Sequence, residues 1–508
     1  MRSWLDTQLG RFTMYRLVLV VLAVLAGYAA VLDLLGWISF GIAAIGLSLV
    51  VSLSVTVAVS WLTAKLFRAH THLESSLITG LLLFFLFTPS TSARPLTVLA
   101  IAAAIAGASK FLFAVRGRHL FNPAAIGALL VSFLGPGLVS TERASWWVAT
   151  PAMLWLVLPA ILLVLFRTSK LVFAGIFLLV SSSIIVARLL GSGFYEPAAA
   201  FALPFTSYPG LFLVGFMLSE PLTLPPRRWQ QWGLAGIVAV LFSVPFALPP
   251  VYSSPELALV VGNLIAFALG QRRGLRLTYL GAKALTPSSK EFSFTLPRPA
   301  RFKAGQYMEL SLPHRGSDGR GIRRVFSLTS DPHDGGKVAF GLRLSEPSSS
   351  FKRELNSLSP GTVVSATGVW GDFVLPRGHA PLLFLAAGVG ITPFMSHLRS
   401  VQKHSSETRD VVLVYTVNSV EEFGYRDELA RLCAAEGVRL VTFCPDDPQL
   451  GEHLGSGYPE AEVLKRAVPD IASRRVYASG SPAFVAHAVA HGHRAGARKV
   501  HTDSFLGY

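Results

Sequence analysis

Apolar residues fill positions 1–270 in long, nearly continuous runs, and shorter alternating stretches take over beyond 283. The first pattern predicts membrane-crossing helices, because about 20 successive apolar residues span a bilayer core. Candidate spans are 12–32, 37–62, 75–89, 93–110, 121–137, 146–166, 170–189, 207–221, 230–249 and 254–270, which makes about ten. The runs 75–89 and 207–221 are short, so tilted, broken or re-entrant segments are expected there. The string HLFNPAAIG, residues 119–127, opens a span with Asn122 and Pro123. Asn suits a helix cap, Pro the first helical position, and Ala124 and Ala125 close helix contact.

The second half changes period. EFSFTLP, QYMELSLP, RRVFSLTS, KVAFGLRL and TVVSATGVW alternate with period 2 between Gly, Pro and Asp, which predicts a small antiparallel barrel. The preceding RLTYLGAKALTPSSK reads as an amphipathic connection from the last span. After Pro381, buried apolar strands alternate with helices. LLFLAAGVGITPFMSHLRSV is strand, glycine-rich turn and helix, and VVLVYTVNS, VRLVTF and RRVYASG are further strands. Such alternation predicts a parallel sheet covered on both faces, with a ligand at the carboxyl ends of its strands. The expected architecture is a polytopic α-helical membrane domain over 1–275, an antiparallel β-barrel over 283–378 and an α/β parallel-sheet domain over 379–508.

Charge orients this arrangement. The net charge is +16, and basic residues cluster at Lys65/Arg68, Lys110/Arg116/Arg118, Arg167/Lys170, Arg227/Arg228 and Arg272/Arg273/Arg276. Each cluster follows an even-numbered span, and the opposite loops hold only Arg143 and Arg188. Positive loops stay inside. The expected location is the cytoplasmic (inner) membrane, multi-pass, with the second half in the cytoplasm and no nucleic-acid partner. The start MRSWLDTQLGR lacks the pattern of a removable signal peptide. Cys433 and Cys444 are the two cysteines, too few for a disulfide scaffold or a cysteine-ligated iron–sulfur cluster. The membrane half has His70, His72 and His119, all in or beside loops, so stacked haem-ligand pairs are missing and no metal is expected. Glu196 and Glu220 each precede Pro, which favours helix ends or breaks. A carboxylate at that depth is a candidate for function.

Six strings in order carry a family resemblance. They are FKAGQY (302–307), RVFS (324–327), SSSFKREL (348–355), GVWGDFVLP (368–376), AAGVGITP (386–393) and YASGSP (477–482). Together they resemble the ferredoxin–NADP reductase superfamily, two-domain modules that bind FAD in a barrel and a nicotinamide on a sheet. The resemblance implies that Arg324 meets the FAD pyrophosphate as a planar donor fork, with Val325, Phe326 and Ser327 completing the flavin signature and Phe326 against the flavin ring. It implies phosphate contacts from Ser349 and Ser350 at a helix start, and a strand closing the barrel at 368–376. Gly388 and Gly390 would let the nicotinamide pyrophosphate approach, with Thr392 at the flavin–nicotinamide contact. Ser479 stands where the family often has Cys, beside Gly480. In the terminal HTDSFLGY, Phe505 and Tyr508 are candidates to shield the flavin. No general base is needed, because FAD takes hydride directly and can release electrons singly. In the loop after VVLVYTV, Ser419 and Arg426 could hold a 2′-phosphate, whereas Glu421 and Glu422 repel one, so NADH is favoured over NADPH.

The first half carries a second resemblance. HLFNPAAIG, SLITGLLLFFLFTPS (76–90) and FMLSEPLTLPP (216–226) resemble the membrane subunits B and D of the sodium-pumping NADH:quinone reductase and the Rnf complex. That family esterifies FMN to Thr in a Ser/Thr-Gly-Ala-Thr string. The nearest string here is VATP (148–151), with Trp147 and Val148 in place of the preceding two residues, so Thr150 is the candidate for FMN. The two resemblances imply a membrane-bound NAD(P)H-dependent FAD oxidoreductase. Its electrons would pass to a quinone, a second flavin or an electron-transfer protein, with other membrane subunits as possible partners. The alternatives are a membrane-anchored reductase serving a soluble carrier or oxygenase, and a transporter with a redox-sensing module.

Overall fold

The computed structural model describes the chain except residues 1–13, 68–72, 116–117, 135–142, 169, 226, 250, 270–273, 315–317, 319–321, 335, 345, 347, 377, 405–408, 435–437 and 506–508. The described residues form two compact units, one helical up to Arg273 and one built on two sheets from Gly274 onward.

In the helical unit each of the ten apolar runs holds a helix, but the helices differ in reach. Met14–Leu34, Ile42–Leu66, Ala93–Leu112, Leu171–Gly191 and Pro197–Leu218 are long and apolar enough to cross a membrane. Leu73–Leu86, Pro151–Arg167 and Pro255–Ala268 are shorter apolar helices. Arg228–Ser243 and Pro123–Val131 complete the set. At 1.5 Å per residue these five fall short of a core of about 30 Å. The span expected over 207–221 starts earlier, at Pro197. Helix Pro197–Thr206 stops before Pro209, and the chain continues through Gly210–Phe212 into a π-helical turn, Leu213–Leu218. The broken span has a physical cause: Pro204 and Pro209 remove amide donors from the ladder.

Helix Pro123–Val131 begins as its sequence suggests. The Asn122 side chain accepts from the Ala125 amide at 3.2 Å, and Pro123 takes the first position. Its Gly127 lies against helix Ala93–Leu112: a Cβ there would stand 2.5 Å from the Ala102 carbonyl oxygen. Small residues thus set this crossing, as expected where helices pack without a hydrophobic driving force.

The second unit opens with six antiparallel strands: β1 (Gly274–Thr286), β2 (Ser289–Thr295), β3 (Tyr307–Ser311), β4 (Arg323–Ser327), β5 (Lys337–Arg343) and β6 (Val363–Thr367). Their order is β4-β3-β6-β1-β2-β5. The outer strands approach at one bridge, Leu328–Phe340. Alternate residues Leu277/Tyr279, Phe292/Phe294, Met308/Leu310 and Phe340 share one buried cluster. Two expectations change here. The stretch expected to connect the halves is a strand of 13 residues, bulged between Tyr279 and Gly281 and between Ala284 and Thr286. GVWGDFVLP, expected to be a closing strand, makes only the Tyr307–Trp370 bridge. Gly371 at φ 125° turns the chain away from an extended path immediately afterwards.

Six parallel strands follow: β7 (Leu382–Ala387), β8 (Val411–Thr416), β9 (Val438–Phe443), β10 (Glu452–His453), β11 (Arg475–Gly480) and β12 (Val500–Ser504). They are ordered β10-β9-β8-β7-β11-β12, and every neighbour pair is parallel. β8 is buried at every position and β7 at all but Ala387, and separate apolar clusters cover the two faces. HTDS, which precedes the candidate flavin-shielding residues Phe505 and Tyr508, belongs to the edge strand β12.

Candidate active site

Strand order reverses between β7 and β11, so their carboxyl ends open a crevice suited to a ligand. β7 ends at Ala387, the tight turn Gly388–Ile391 follows, and helix Thr392–His404 leaves from it. Gly390 is obligatory: a Cβ would sit 2.2 Å from the Ser479 carbonyl oxygen on β11. Gly388 adopts φ 51°, with open space where a Cβ would point. Thr392 is buried and donates to the Val389 carbonyl at 2.9 Å. Gly480 ends β11, and Ser481 caps the next helix by accepting from the Phe484 amide at 3.2 Å.

Ser479 is fully buried, and its hydroxyl has no hydrogen-bond partner among the described residues. Across the strand pair it faces Asp503 on β12. The Ser327 hydroxyl, from the end of β4, donates to Asp503 Oδ2 at 3.4 Å. The end of β4 and the paired strands β11 and β12 at one edge of the parallel sheet thus meet at one carboxylate. Burial pushes the Asp503 carboxyl up to about 6, against the opposing effect of the Ser327 hydrogen bond. Sequence reasoning missed Asp503. The signal was a lone acid in HTDSFLGY, and only the β11–β12 register shows what it faces.

Arg324 is buried, donates to the Arg323 carbonyl at 2.7 Å and lies over the Phe351 ring at 5.3 Å. Val325 points outward, and Phe326 turns towards Phe340 and Phe351, with ring centres 6.0 and 5.9 Å away. Ser349 caps the short helix Ser350–Asn356, accepting from Lys352 N at 3.3 Å. The Ser350 amide donates to the Asp318 carboxylate at 2.8 Å, and Asp318 N donates back to Ser350 Oγ at 2.9 Å. The same carboxylate lies 3.8 Å from Arg324 Nη2. A negative group therefore already fits between Arg324 and Ser350, the place the resemblance gives to phosphate. The residues fit both groups: this anion seat suits the FAD pyrophosphate, and the orphan Ser479 hydroxyl beside the open Gly388 suits a nicotinamide.

Two sequence arguments change. Glu422 accepts from Ser288 Oγ at 2.6 Å and Thr286 Oγ1 at 3.1 Å, so it is engaged with the antiparallel sheet. Arg426 donates to the Pro448 carbonyl at 2.5 Å. Of the residues weighed for selectivity, Glu421 is exposed and Ser419 is half-buried. Phe505 donates its amide to the Gly480 carbonyl at 2.9 Å, whereas Tyr508 lies outside the described residues.

The FAD-binding domain profile of oxidoreductases matches residues 278–375, and the oxidoreductase NAD-binding domain profile matches 384–490. Ferredoxin–NADP reductase B of Sorangium cellulosum is 30% identical over 210 residues, covering 40% of this chain and 81% of the relative. The chain belongs to the ferredoxin–NADP reductase family. Its FAD and nicotinamide domains make it an NAD(P)H-dependent FAD oxidoreductase. The reductase component of propane 2-monooxygenase from Rhodococcus jostii is 29% identical over 197 residues, covering 37% of this chain and 51% of that protein. An NADPH oxidoreductase of Mycobacterium tuberculosis is 31% identical over 229 residues, 42% and 56% respectively. The chain thus spans about half the length of these two relatives. The cytochrome P450 reductase GcoB of Amycolatopsis aligns over 46% of this chain and 70% of its own, at 25% identity and a TM-score of 0.40.

In the helical unit, Glu220 sits at the break after the π-helical turn. It accepts from Asn122 Nδ2 at 3.1 Å and meets His119 Nε2 at 3.0 Å. The Asn122 amide donates to Asn263 Oδ1 at 2.8 Å. Glu196, by contrast, is exposed and only precedes helix Pro197–Thr206, with no side-chain hydrogen bond capping it. Thr150 precedes helix Pro151–Arg167, and its Oγ1 is buried without a described partner beside a cavity lined by Leu154, Tyr208 and Phe212. Trp147, three residues earlier, is buried and donates to the Phe84 carbonyl at 2.7 Å.

Proposed function

We propose that this chain is a membrane-bound oxidoreductase that passes electrons from NAD(P)H through FAD to a membrane-associated acceptor. The observation that carries the reading is the helical unit itself. Anchoring takes one or two helices, whereas this unit has five long apolar helices and a half-buried His119–Glu220 pair beside the buried Asn122. Ionisable groups in apolar surroundings are costly and mark function. Quinone is the preferred acceptor, in line with the resemblance of HLFNPAAIG and FMLSEPLTLPP to NADH:quinone reductase and Rnf membrane subunits. About ten crossings with the reductase module in the cytoplasm follow from the positive-inside pattern. The domain division 1–275, 283–378 and 379–508 belongs to the same reading, with the first strand of the module brought forward to Gly274.

A bound FAD supplies two-electron oxidation of the nicotinamide and single-electron release. The chain's residues do the placing. Arg324, with Ser349 and Ser350, would hold the pyrophosphate, and the strand of Val325, Phe326 and Ser327 would border the flavin. Gly388, Gly390 and Gly480 would admit the dinucleotide backbone, Thr392 and Ser479 would bound the nicotinamide, and Asp503 orients the Ser327 hydroxyl by accepting its hydrogen bond. Exposed Glu421 favours NADH, since a 2′-phosphate would meet its charge. A second flavin on Thr150 would draw on its unpartnered hydroxyl. Flavin that stays with acid-precipitated protein supports that flavin, and complete release as FAD sinks it.

A second reading has its own support: reductase components of propane and phenol monooxygenases are among the relatives. A membrane-tethered reductase for a soluble carrier would give the same module. NADH oxidation by purified full-length protein and by residues 274–508 separates the two, with ferricyanide and a short-chain quinone as acceptors. The membrane-acceptor reading expects ferricyanide activity in both and quinone activity only in the full chain. Equal quinone rates in both would sink it.

A further inference from the structure

The nicotinamide turn is held from the antiparallel sheet as well as from its own. Glu291 on β2 is the focus. Its Oε1 accepts from Thr329 Oγ1 at 2.5 Å, from the Tyr425 hydroxyl at 3.0 Å and from Arg399 Nη1 at 3.2 Å. Arg399 belongs to helix Thr392–His404, which leaves directly from the turn. It also donates Nη1 to the Thr329 carbonyl at 2.7 Å and grips both carboxylate oxygens of Glu428 at 2.7 Å. Its guanidinium lies over the Tyr425 ring at 5.5 Å. Tyr425 sits at φ 61°, a strained backbone for a non-glycine residue that persists only where its surroundings fix it. Burial and the neighbouring Glu291 hold its phenol well above the ordinary range, so it stays a donor.

Glu291 pairs across the sheet with Gly341. A Cβ at Gly341 would stand 2.6 Å from Thr392 Cγ2 and 2.7 Å from the Tyr425 hydroxyl. The first residue of the nicotinamide helix thus rests on the bare backbone of β5. A second tie lies nearby, where Ser288 and Thr286 of the β1–β2 turn donate to Glu422. A largely desolvated acid serving three donors is an expensive way to glue two sheets, since apolar contact does that equally well. What the directional contacts add is register, in a reaction where an error of about 1 Å can cost 100-fold.

We propose that Glu291, Arg399 and Tyr425 are positioning residues that clasp the nicotinamide turn to the flavin-side sheet and set the distance at which hydride is transferred. The proposal rests on the reading of turn 388–391 and Thr392 as the nicotinamide site. None of the three needs to touch either cofactor; they act through Thr392 and the helix behind it.

The test uses the full-length, FAD-loaded protein with E291Q, Y425F, G341A and the control T392A. FAD per chain, amide exchange over 392–399 and 422–429, and flavin bleaching by NADH, NADPH and dithionite are measured. E291Q and G341A should keep their FAD and exchange faster in both segments. Their limiting rate of bleaching by the nucleotide should fall by about tenfold or more, with a smaller change in the half-saturating concentration. Bleaching by dithionite should not change. Y425F should show the same pattern more weakly. Nucleotide rates within about twofold of wild type in E291Q and G341A overturn the proposal while T392A is slow. Loss of FAD in both overturns it too, since the contacts would then maintain the flavin domain. An unchanged rate in T392A would instead sink the underlying assignment of the nicotinamide turn.

Discussion

Asp503 and Ser479 face each other across β11 and β12, and each yields a separate expectation. The Asp503 carboxyl is pushed up to about 6 by burial, above its value of 3.8 in an open chain. The folded protein therefore holds this proton more tightly than the unfolded chain does. Its contribution to stability is greatest below pH 4 and is lost as pH rises to about 6. D503N should flatten that part of the stability–pH curve, measured by urea unfolding at pH 4.5 and 7; a curve parallel to wild type would refute the burial argument. Ser479 needs the opposite handling. Its hydroxyl has no described partner to lose, so S479A should alter the unfolding midpoint little. S479C restores the thiol common in the family and should speed flavin reduction severalfold, read by stopped flow. No change would show that this position does not touch the reacting pair. Of the two, only the Ser479 effect is visible in the sequence. RVFS and YASGSP could be read as motifs because short-range chemistry marks them, whereas Asp503 acquires its meaning from a register between chain segments some 25 residues apart.

At the scale of elements, legibility follows how local each determinant is. LLFLAA and VVLVYT are unbroken apolar runs ended by Gly or polar residues, and they are β7 and β8 as expected. β1 was invisible for a stated reason. Its stretch GLRLTYLGAKALT loses alternation at Gly281, and a basic cluster precedes it, so it resembles a linker. Pairing with distant partners makes it a strand: Gly274–Thr278 runs against Val363–Thr367, and Thr278–Thr286 against Ser289–Thr295. A strand stabilised by non-local pairs cannot be found by a local window. GVWGDFVLP failed in the opposite direction, since its apolar residues suggest a strand but Gly371 and Pro376 break one. The consequence is a boundary prediction. A module cut at residue 283 removes most of β1 and exposes the edges of β6 and β2, so it should be insoluble or unable to retain FAD. A module beginning at Gly274 should be soluble and yellow. Equal FAD retention by both fragments would remove β1 from the folding unit.

At the scale of the whole molecule, the question is on which side of the membrane the reductase module works. The basic clusters at Lys65, Lys110, Arg167, Arg227 and Arg276 alternate with loops nearly free of Lys and Arg. Juxtamembrane basic residues resist translocation, so the proposed orientation puts the reductase module on the side where NAD(P)H is made. Nicotinamide nucleotides do not cross intact bilayers, which turns orientation into a measurable latency. Sealed inside-out vesicles should oxidise added NADH at full rate, and right-side-out vesicles only after detergent. The reverse latency would overturn the orientation. The same vesicles test the half-buried polar cluster around Glu220. E220Q keeps the shape of the side chain but removes the charge that His119 and Asn122 face. If the cluster serves the acceptor, E220Q lowers the quinone rate and leaves ferricyanide reduction alone, because the proposed FAD and nicotinamide sites lie on β4, β7 and β11. If it only ties helices together, both rates persist and thermal stability in detergent falls instead, by the order of 1–3 kcal/mol expected when a buried hydrogen-bonded group loses its partner. The two rates, taken in vesicles of known orientation, separate a helical unit that carries electrons from one that merely holds the reductase in place.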